Sequence, residues 1–278
     1  MNSENPKAKE HTQRWKSGLF LSVIGFSSLY FGGWVFAGLC SILFWISAGE
    51  FIIISSSGGA NTFKRTLKTL CALAPLCAVI SYKALGIWLA LASCLILCLF
   101  VARSSEQKKF NLIDLACTLS ALLYVAWIPS HCVLLRQLGA FYLLFPLVLA
   151  VINDIAAYYF GKAFGKTKLA ENISPNKTIK GSIGGLVAGC IVGILLFYFY
   201  PDPIIQKDFQ LWEILLMSIV CTLTAQFGDL VESLMKRSVG LKDTGNLVSG
   251  HGGVLDRFDS HIIPYTLCYY FFTGFFKL

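Results

Sequence analysis

Residues 228–259 crowd ionisable side chains into one stretch of an otherwise apolar chain. Asp229, Glu232, Asp243, Asp256 and Asp259 supply carboxylates, and Lys236, Arg237, Lys242 and Arg257 supply cations. On a helix over 229–237, the spacing of Asp229, Glu232, Ser233 and Lys236 by three and four puts all four on one face. Carboxylate oxygens suit a hard divalent cation, and Lys and Arg side chains suit phosphates. Acids for metal together with bases for phosphate are what phosphoryl or nucleotidyl transfer needs. Asp229 and Asp256 are the expected metal ligands, with Lys236, Arg237, Lys242 and Arg257 around the phosphates. His251 stands among Gly250, Gly252 and Gly253, a pattern that brings backbone close to a ligand. One histidine with no Cys/His spacing around it is not a zinc site.

A second stretch repeats the theme. Asp154 is followed by Gly161, Lys162, Gly165, Lys166 and Thr167, and then by Ser174, Pro175, Lys177 and Thr178. Residues 161–167 come close to a phosphate-binding P-loop. They are one residue short between the glycines and follow a membrane helix, not a strand, so that reading is rejected. Ser174, Lys177 and Thr178 still offer two hydroxyls and an ammonium suited to a triphosphate.

Composition defines what must hold these residues. Of 278 residues, 56% are hydrophobic and only 14% charged, with a mean hydropathy of +0.67. Soluble domains carry about 25% charge. The chain is therefore an integral membrane protein, and several runs approach the roughly 20 apolar residues that a helical span needs. The weak ten-residue alternation of a membrane β-barrel is absent. The expected fold is all-α, a polytopic helical bundle. Charge at the bilayer centre costs about 2.5–3.5 kcal/mol per residue on insertion scales, so acids kept near lipid point to function. The net charge of +8 comes in short clusters between apolar runs. It is read as topology and attraction to anionic membrane lipid, not as nucleic-acid binding. The ten cysteines show no C-x-x-C pair and are read as small hydrophobes in a reduced setting.

Nine spans are predicted: 17–32, 34–55, 69–82, 86–102, 111–129, 138–160, 182–200, 212–231 and 261–276. Residues 1–16 form a cytoplasmic tail, 17–135 the N-terminal membrane helices, and 136–278 a catalytic membrane region with cytoplasmic loops at 161–181 and 232–260. Gly32-Gly33 is the expected break between the first two spans. With the tail inside, nineteen of the 23 Lys and Arg residues fall on the inner side, leaving Lys83, Arg136, Lys207 and Lys277 outside. That asymmetry follows the positive-inside rule and places the N-terminus in the cytoplasm and the C-terminus outside. Merging the first two spans would invert every later loop. The same map puts Glu50, Asp114, Asp154, Asp229, Glu232, Asp256 and Asp259 in the cytoplasmic half. Gly181, Gly185, Gly189 and Gly193 recur every four residues and predict close helix packing, within a subunit or between two.

At these residues the chain resembles the CDP-diacylglycerol synthases, or phosphatidate cytidylyltransferases. The resemblance lies in Gly228-Asp229-Leu230, Ser233, Lys236-Arg237, Lys242-Asp243, His251-Gly252-Gly253 and Asp256-Arg257-Phe258-Asp259. Upstream it includes Asp154, Ala157-Tyr158, Gly161, Phe164-Gly165, Ser174-Pro175, Lys177-Thr178, Gly181 and Gly184-Gly185. It is close over about residues 150–260. The chain departs from the pattern at Val248, at Ser249 where proline is usual, at Ile155-Ala156, and at Lys180 where Glu is frequent. The resemblance implies transfer of CMP from CTP to phosphatidic acid, giving CDP-diacylglycerol and pyrophosphate, with Mg²⁺ and room for a second cation. It also implies a homodimer in the cell (inner) membrane with its site facing the cytoplasm. The implied catalytic group is Asp229, Asp256, Lys236, Arg237, Lys242, His251 and Arg257. Asp154, Ser174, Lys177, Thr178, Ser233, Asp243, Gly252, Gly253 and Asp259 are the implied substrate-binding residues. Two rivals use other chemistry. A CTP-dependent lipid kinase would move a γ-phosphoryl group to an isoprenoid alcohol. A cation-coupled transporter would place its acids at the midplane between repeats, which the clustering of acids on one side disfavours.

Overall fold

The computed structural model describes residues 25, 27–105, 111–200, 209–242, 244–245 and 253–274. The tail 1–16 and most of the first predicted span lie outside the described residues, as do Asp243, His251 and Gly252. The predicted break at Gly32-Gly33 is present: both glycines take positive φ, 61° and 49°, and helix α1 (Gly33–Ser57) starts there. It is followed by α2 (Lys64–Ile80), α3 (Tyr82–Ser105), α4 (Leu112–Leu138) and α5 (Ala140–Phe164). An antiparallel hairpin of β1 (Lys168–Ala170) and β2 (Ser174–Thr178) leads to α6 (Ile179–Phe199), α7 (Leu211–Ser238) and α8 (Leu255–Phe272).

Among the described residues six helices, α1 and α3–α7, are long and apolar enough to cross a membrane. The protein is an all-α polytopic membrane protein. Helix α2 has 17 residues and opens on Lys64 and Arg65, while α8 has 18 and carries Asp256, Arg257 and Asp259 in its first turns.

Three local outcomes differ from the sequence reading. The fifth predicted span ends at 129, but α4 continues to Leu138. Proline inside a helix lacks a donor and its ring meets the carbonyl four residues back. Here the turns over Leu122–Trp127 are widened to π geometry just before Pro129, which makes room for the ring. The predicted loop 161–181 contains the hairpin and the start of α6. The predicted loop 232–260 is shorter than expected, since α7 runs on to Ser238 and α8 begins at Leu255.

Helices α5, α6 and α7 are held close by the glycine face. A side chain at Gly185 would strike Asn153 of α5; at Gly189 it would strike Thr222 and at Gly193 Ser218, both of α7. This face is therefore spent inside the protomer. Asp114 also has a structural task. It closes a capping box with Asn111 at the start of α4 and accepts a 2.6 Å bond from the Asn61 amide, pinning the α1–α2 turn.

Candidate active site

The predicted face of α7 forms: Asp229, Glu232, Ser233 and Lys236 lie on the last three turns of the helix. Against it α8 presents Asp256, Asp259 and Ser260, again spaced by three and four. The two helices touch at Gly228, where a Cβ would collide with the Asp259 carbonyl oxygen. Only glycine permits that approach. The result is two adjacent polar clusters along one helix–helix seam.

The first cluster joins four elements, β2, α5, α7 and α8. Asp229 pairs with Lys177 of β2 at 2.5 Å, so the hairpin is drawn to the end of α7. The Ser233 hydroxyl lies 3.5 Å from the other Asp229 oxygen. Asp154 of α5 accepts hydrogen bonds from Ser260 Oγ at 3.1 Å and Asn153 Nδ2 at 3.0 Å. Gln226 of α7 in turn donates to Asn153 Oδ1 at 2.7 Å. Asp259, ahead of the apolar part of α8, accepts from the Ser260 amide at 2.6 Å. Burial, and then the charges of Asp229 and Asp154, push the Asp259 carboxyl up to about 7; Lys177 and the Ser260 amide oppose this. Three carboxylates therefore repel one another here, the electrostatic condition a cation relieves.

The second cluster is deeper. Lys236 lies 2.7 Å from Asp256 Oδ1 and 2.5 Å from Glu232 Oε2. Glu232 is 1% exposed, and the geometry of its ion pair is not that of a hydrogen bond. The second Asp256 oxygen accepts the amides of Gly253 at 2.8 Å and Thr244 at 3.2 Å. Burial alone would raise the Asp256 carboxyl. The Lys236 ammonium and the two amides outweigh it and hold the group well below the usual carboxylate range.

Glu50, which the sequence placed only near the inner end of a span, has a specific task. It arrives from α1, 5% exposed, and its two oxygens accept the amides of Val254 at 2.8 Å and Leu255 at 2.7 Å. A carboxylate at a helix N-terminus satisfies otherwise orphan donors and complements the helix dipole. It thus fixes the turn that delivers Asp256. Gly245 and Gly253 pack directly on the Glu50 carboxyl, and a side chain at Gly253 would overlap it. Glu50→Gln is expected to cost about 1.5–3 kcal/mol of stability, the worth of hydrogen bonds to a charged group. It is also expected to lower the turnover number of the enzyme proposed below about tenfold, because Asp256 loses its fixed entry turn. Thermal unfolding in detergent and steady-state kinetics read the two effects.

Other predicted residues are placed as follows. Thr178 is buried and its hydroxyl caps α6 by accepting the Gly181 amide at 3.1 Å, so it serves the fold. Ser174 pairs with Ala170 in the hairpin. Arg237 donates to the Leu241 carbonyl at 3.2 Å, closing the end of α7. Lys242 and Arg257 are exposed. Asp229 and Asp256 occupy neighbouring clusters and share no polar partner among the described residues. Nor do three His, Cys, Asp or Glu side chains among the described residues converge as a ready cage for a metal ion. Mg²⁺ is usually held by one or two carboxylates, with waters and substrate phosphates completing the shell. Asp229, among the like charges of Asp154 and Asp259, offers oxygen donors of that kind, and Asp256 adds a carboxylate from the neighbouring cluster.

Fold and site together define a polytopic helical membrane protein with paired acid and base clusters where α7 meets α8. A family model described as the cytidylyltransferase family matches residues 12–275, and the chain belongs to that family. It is similar to a protein named phosphatidate cytidylyltransferase from Synechocystis sp., 30% identical with 94% of this chain and 96% of the relative covered. It is also similar to proteins of the same name from Staphylococcus haemolyticus and Staphylococcus aureus, each 40% identical over 155 residues. In those two the match spans 58% of the relative's length and 56% of this chain.

Proposed function

We propose that the protein transfers CMP from CTP to phosphatidic acid, releasing pyrophosphate. The observation that carries this reading is the seam of α7 and α8, where Lys177 and Lys236 each lie within 2.7 Å of an aspartate in a chain otherwise poor in charge. An oxygen of the lipid phosphate attacks the α-phosphorus of CTP. The bond from that phosphorus to the bridging oxygen breaks, and pyrophosphate leaves with its electron pair. The attacking oxygen is already anionic, so no strong general base is required. Lys177 and Lys236 offset the repulsion between two anionic substrates. Asp256 and Glu232 hold the Lys236 ammonium in place, and Asp229 does the same for Lys177. Lys242, Arg237 and Arg257 add positive charge around the phosphates, while Ser174, Ser233 and the Gly253 backbone supply polar contacts. Mg²⁺, held by Asp229 and Asp256 with substrate oxygens, would neutralise charge on the nucleotide phosphates. Asp154 and Asp259 complete the acid cluster beside Asp229.

The proposal extends to topology. The charge asymmetry supports nine spans, a cytoplasmic N-terminus, and a site facing the cytoplasm from the cell membrane, where CTP is available and the basic loops meet anionic lipid. The homodimer rests on the resemblance alone, because the glycine face is used within the protomer. The test is to supply membranes containing the protein with CTP labelled in the cytosine ring and with phosphatidate. A cytidine-labelled lipid is expected. Label transferred only from the γ-phosphate would favour the lipid kinase, and no transfer would favour a transporter.

A further inference from the structure

Helix α8 has a second face with a different character. Asp256, Asp259 and Ser260 turn toward α7 and α5, as their contacts with Lys236, Gly228 and Asp154 show. Leu255, Phe258, Ile262 and Tyr265, also spaced by three and four, line a cavity of about 570 Å³ on the opposite side. Leu43 and Ser47 of α1 form the facing wall, and α4 and α5 close the far side. The lining is apolar apart from a few small groups, and one end is rimmed by Gly253 and Arg257. That end is continuous with the site, because the Gly253 amide holds Asp256.

We infer that this cavity takes an acyl chain of the lipid substrate, running along α8 with the lipid phosphate at Arg257. The inference rests on the lipid-phosphate activity proposed above. Three features commit it to that occupant. The volume is that of a ligand site and not a packing defect. From Leu255 to Tyr265 the wall covers ten helical steps, about 15 Å at helical rise, long enough to line much of an extended acyl chain. Among the described residues its one charged rim residue, Arg257, is a cation, complementary to a phosphate. The leading amides of α8 already bind Glu50 and Asp256, so the anion contact at this end falls to the Arg257 side chain. Helix α8 thereby acts as a partition, with reacting groups on one face and the substrate's tail on the other.

The experiment fills the cavity from walls outside the catalytic machinery. Leu43→Trp and Leu147→Trp are compared with the unaltered protein on dihexanoyl and dipalmitoyl phosphatidate in mixed micelles. The KM for the long-chain lipid is expected to rise about tenfold, with the short-chain value within about twofold, since the lost contacts are uniform binding to the tail. Equal effects on both lipids, or none on either, would overturn the inference. Photolabelling of the unaltered protein tests it without turnover, using phosphatidate with a diazirine in mid-chain. Label on α1 and α8 peptides is expected. Label spread over the outer faces of α3 and α6, or equal labelling by phosphatidylcholine of the same chain, would mean that bulk lipid fills the space. Absence of cytidine transfer combined with cavity labelling would remove the activity and leave the site.

Discussion

Asp229→Asn and Asp256→Asn are each expected to lower cytidine transfer by about 10³-fold, the scale seen when a preorganised electrostatic contact is lost from a reaction centre, and to do so with opposite effects on stability. Asp256 accepts two backbone amides and an ammonium, and its neighbours hold its carboxyl ionised. Asparagine cannot satisfy all three donors and carries no charge, so Lys236 is left facing Glu232 alone and the α8 entry turn loosens. That variant is expected to unfold at a lower temperature than the parent. Asp229 instead sits among like charges, with Asp154 and Asp259. Neutralising it removes repulsion that Lys177 and the neighbouring hydrogen bonds only partly offset, so Asp229→Asn is expected to match or exceed the parent in thermal stability. Asp259 should then titrate below its present value near 7, because one of its two raising charges is gone. Transfer assays on purified variants, paired with unfolding midpoints in the same detergent, read both outcomes. Robust turnover in either variant would remove its aspartate from the reaction. A large stability loss in Asp229→Asn would show that the Lys177 pair outweighs the repulsion.

The difference between these two aspartates was hidden in the sequence, and the reason is physical. Helical spacing showed that Asp229, Glu232, Ser233 and Lys236 share a face, because that relation is local and periodic. It could not show that Lys236 answers Asp256 while Lys177 answers Asp229, since those pairings depend on how α7, α8 and the hairpin pack. Most of the membrane helices were legible for the same local reason, as runs of apolar residues long enough to cross. The continuation of α4 past Pro129 was not, because widened turns leave no compositional mark. Glu50 lies 204 residues from the amide of Val254 that it caps, and no pattern connects them. Two further features are local in the sequence. Asn111 with Asp114 has the spacing of a capping box, and Thr178 stands directly before a helix.

Lys236→Met is the sharper test of how the buried cluster is held. The lysine side chain is 11% exposed and those of Glu232 and Asp256 are 1% and 12%, so its removal takes away the ammonium that pairs with both acids. Removing one partner from a buried ionic set costs about 3–5 kcal/mol, most of it the penalty of the uncompensated charge left behind. Methionine fills similar space, which confines the loss to electrostatics. The double variant Lys236→Met with Glu232→Gln should recover most of the stability, since the more deeply buried acid no longer needs a counter-charge. The recovery measures the coupling between the two residues. Activity should stay low in both variants, because neither restores an ammonium beside Asp256. Lys236→Arg should keep the charge and lose much of the activity, since a planar fork cannot stand between the two acids as a compact ammonium does. Stability regained without turnover would separate the ammonium's part in the reaction from its part in the fold. Recovery of both in the double variant would assign Lys236 to the fold alone.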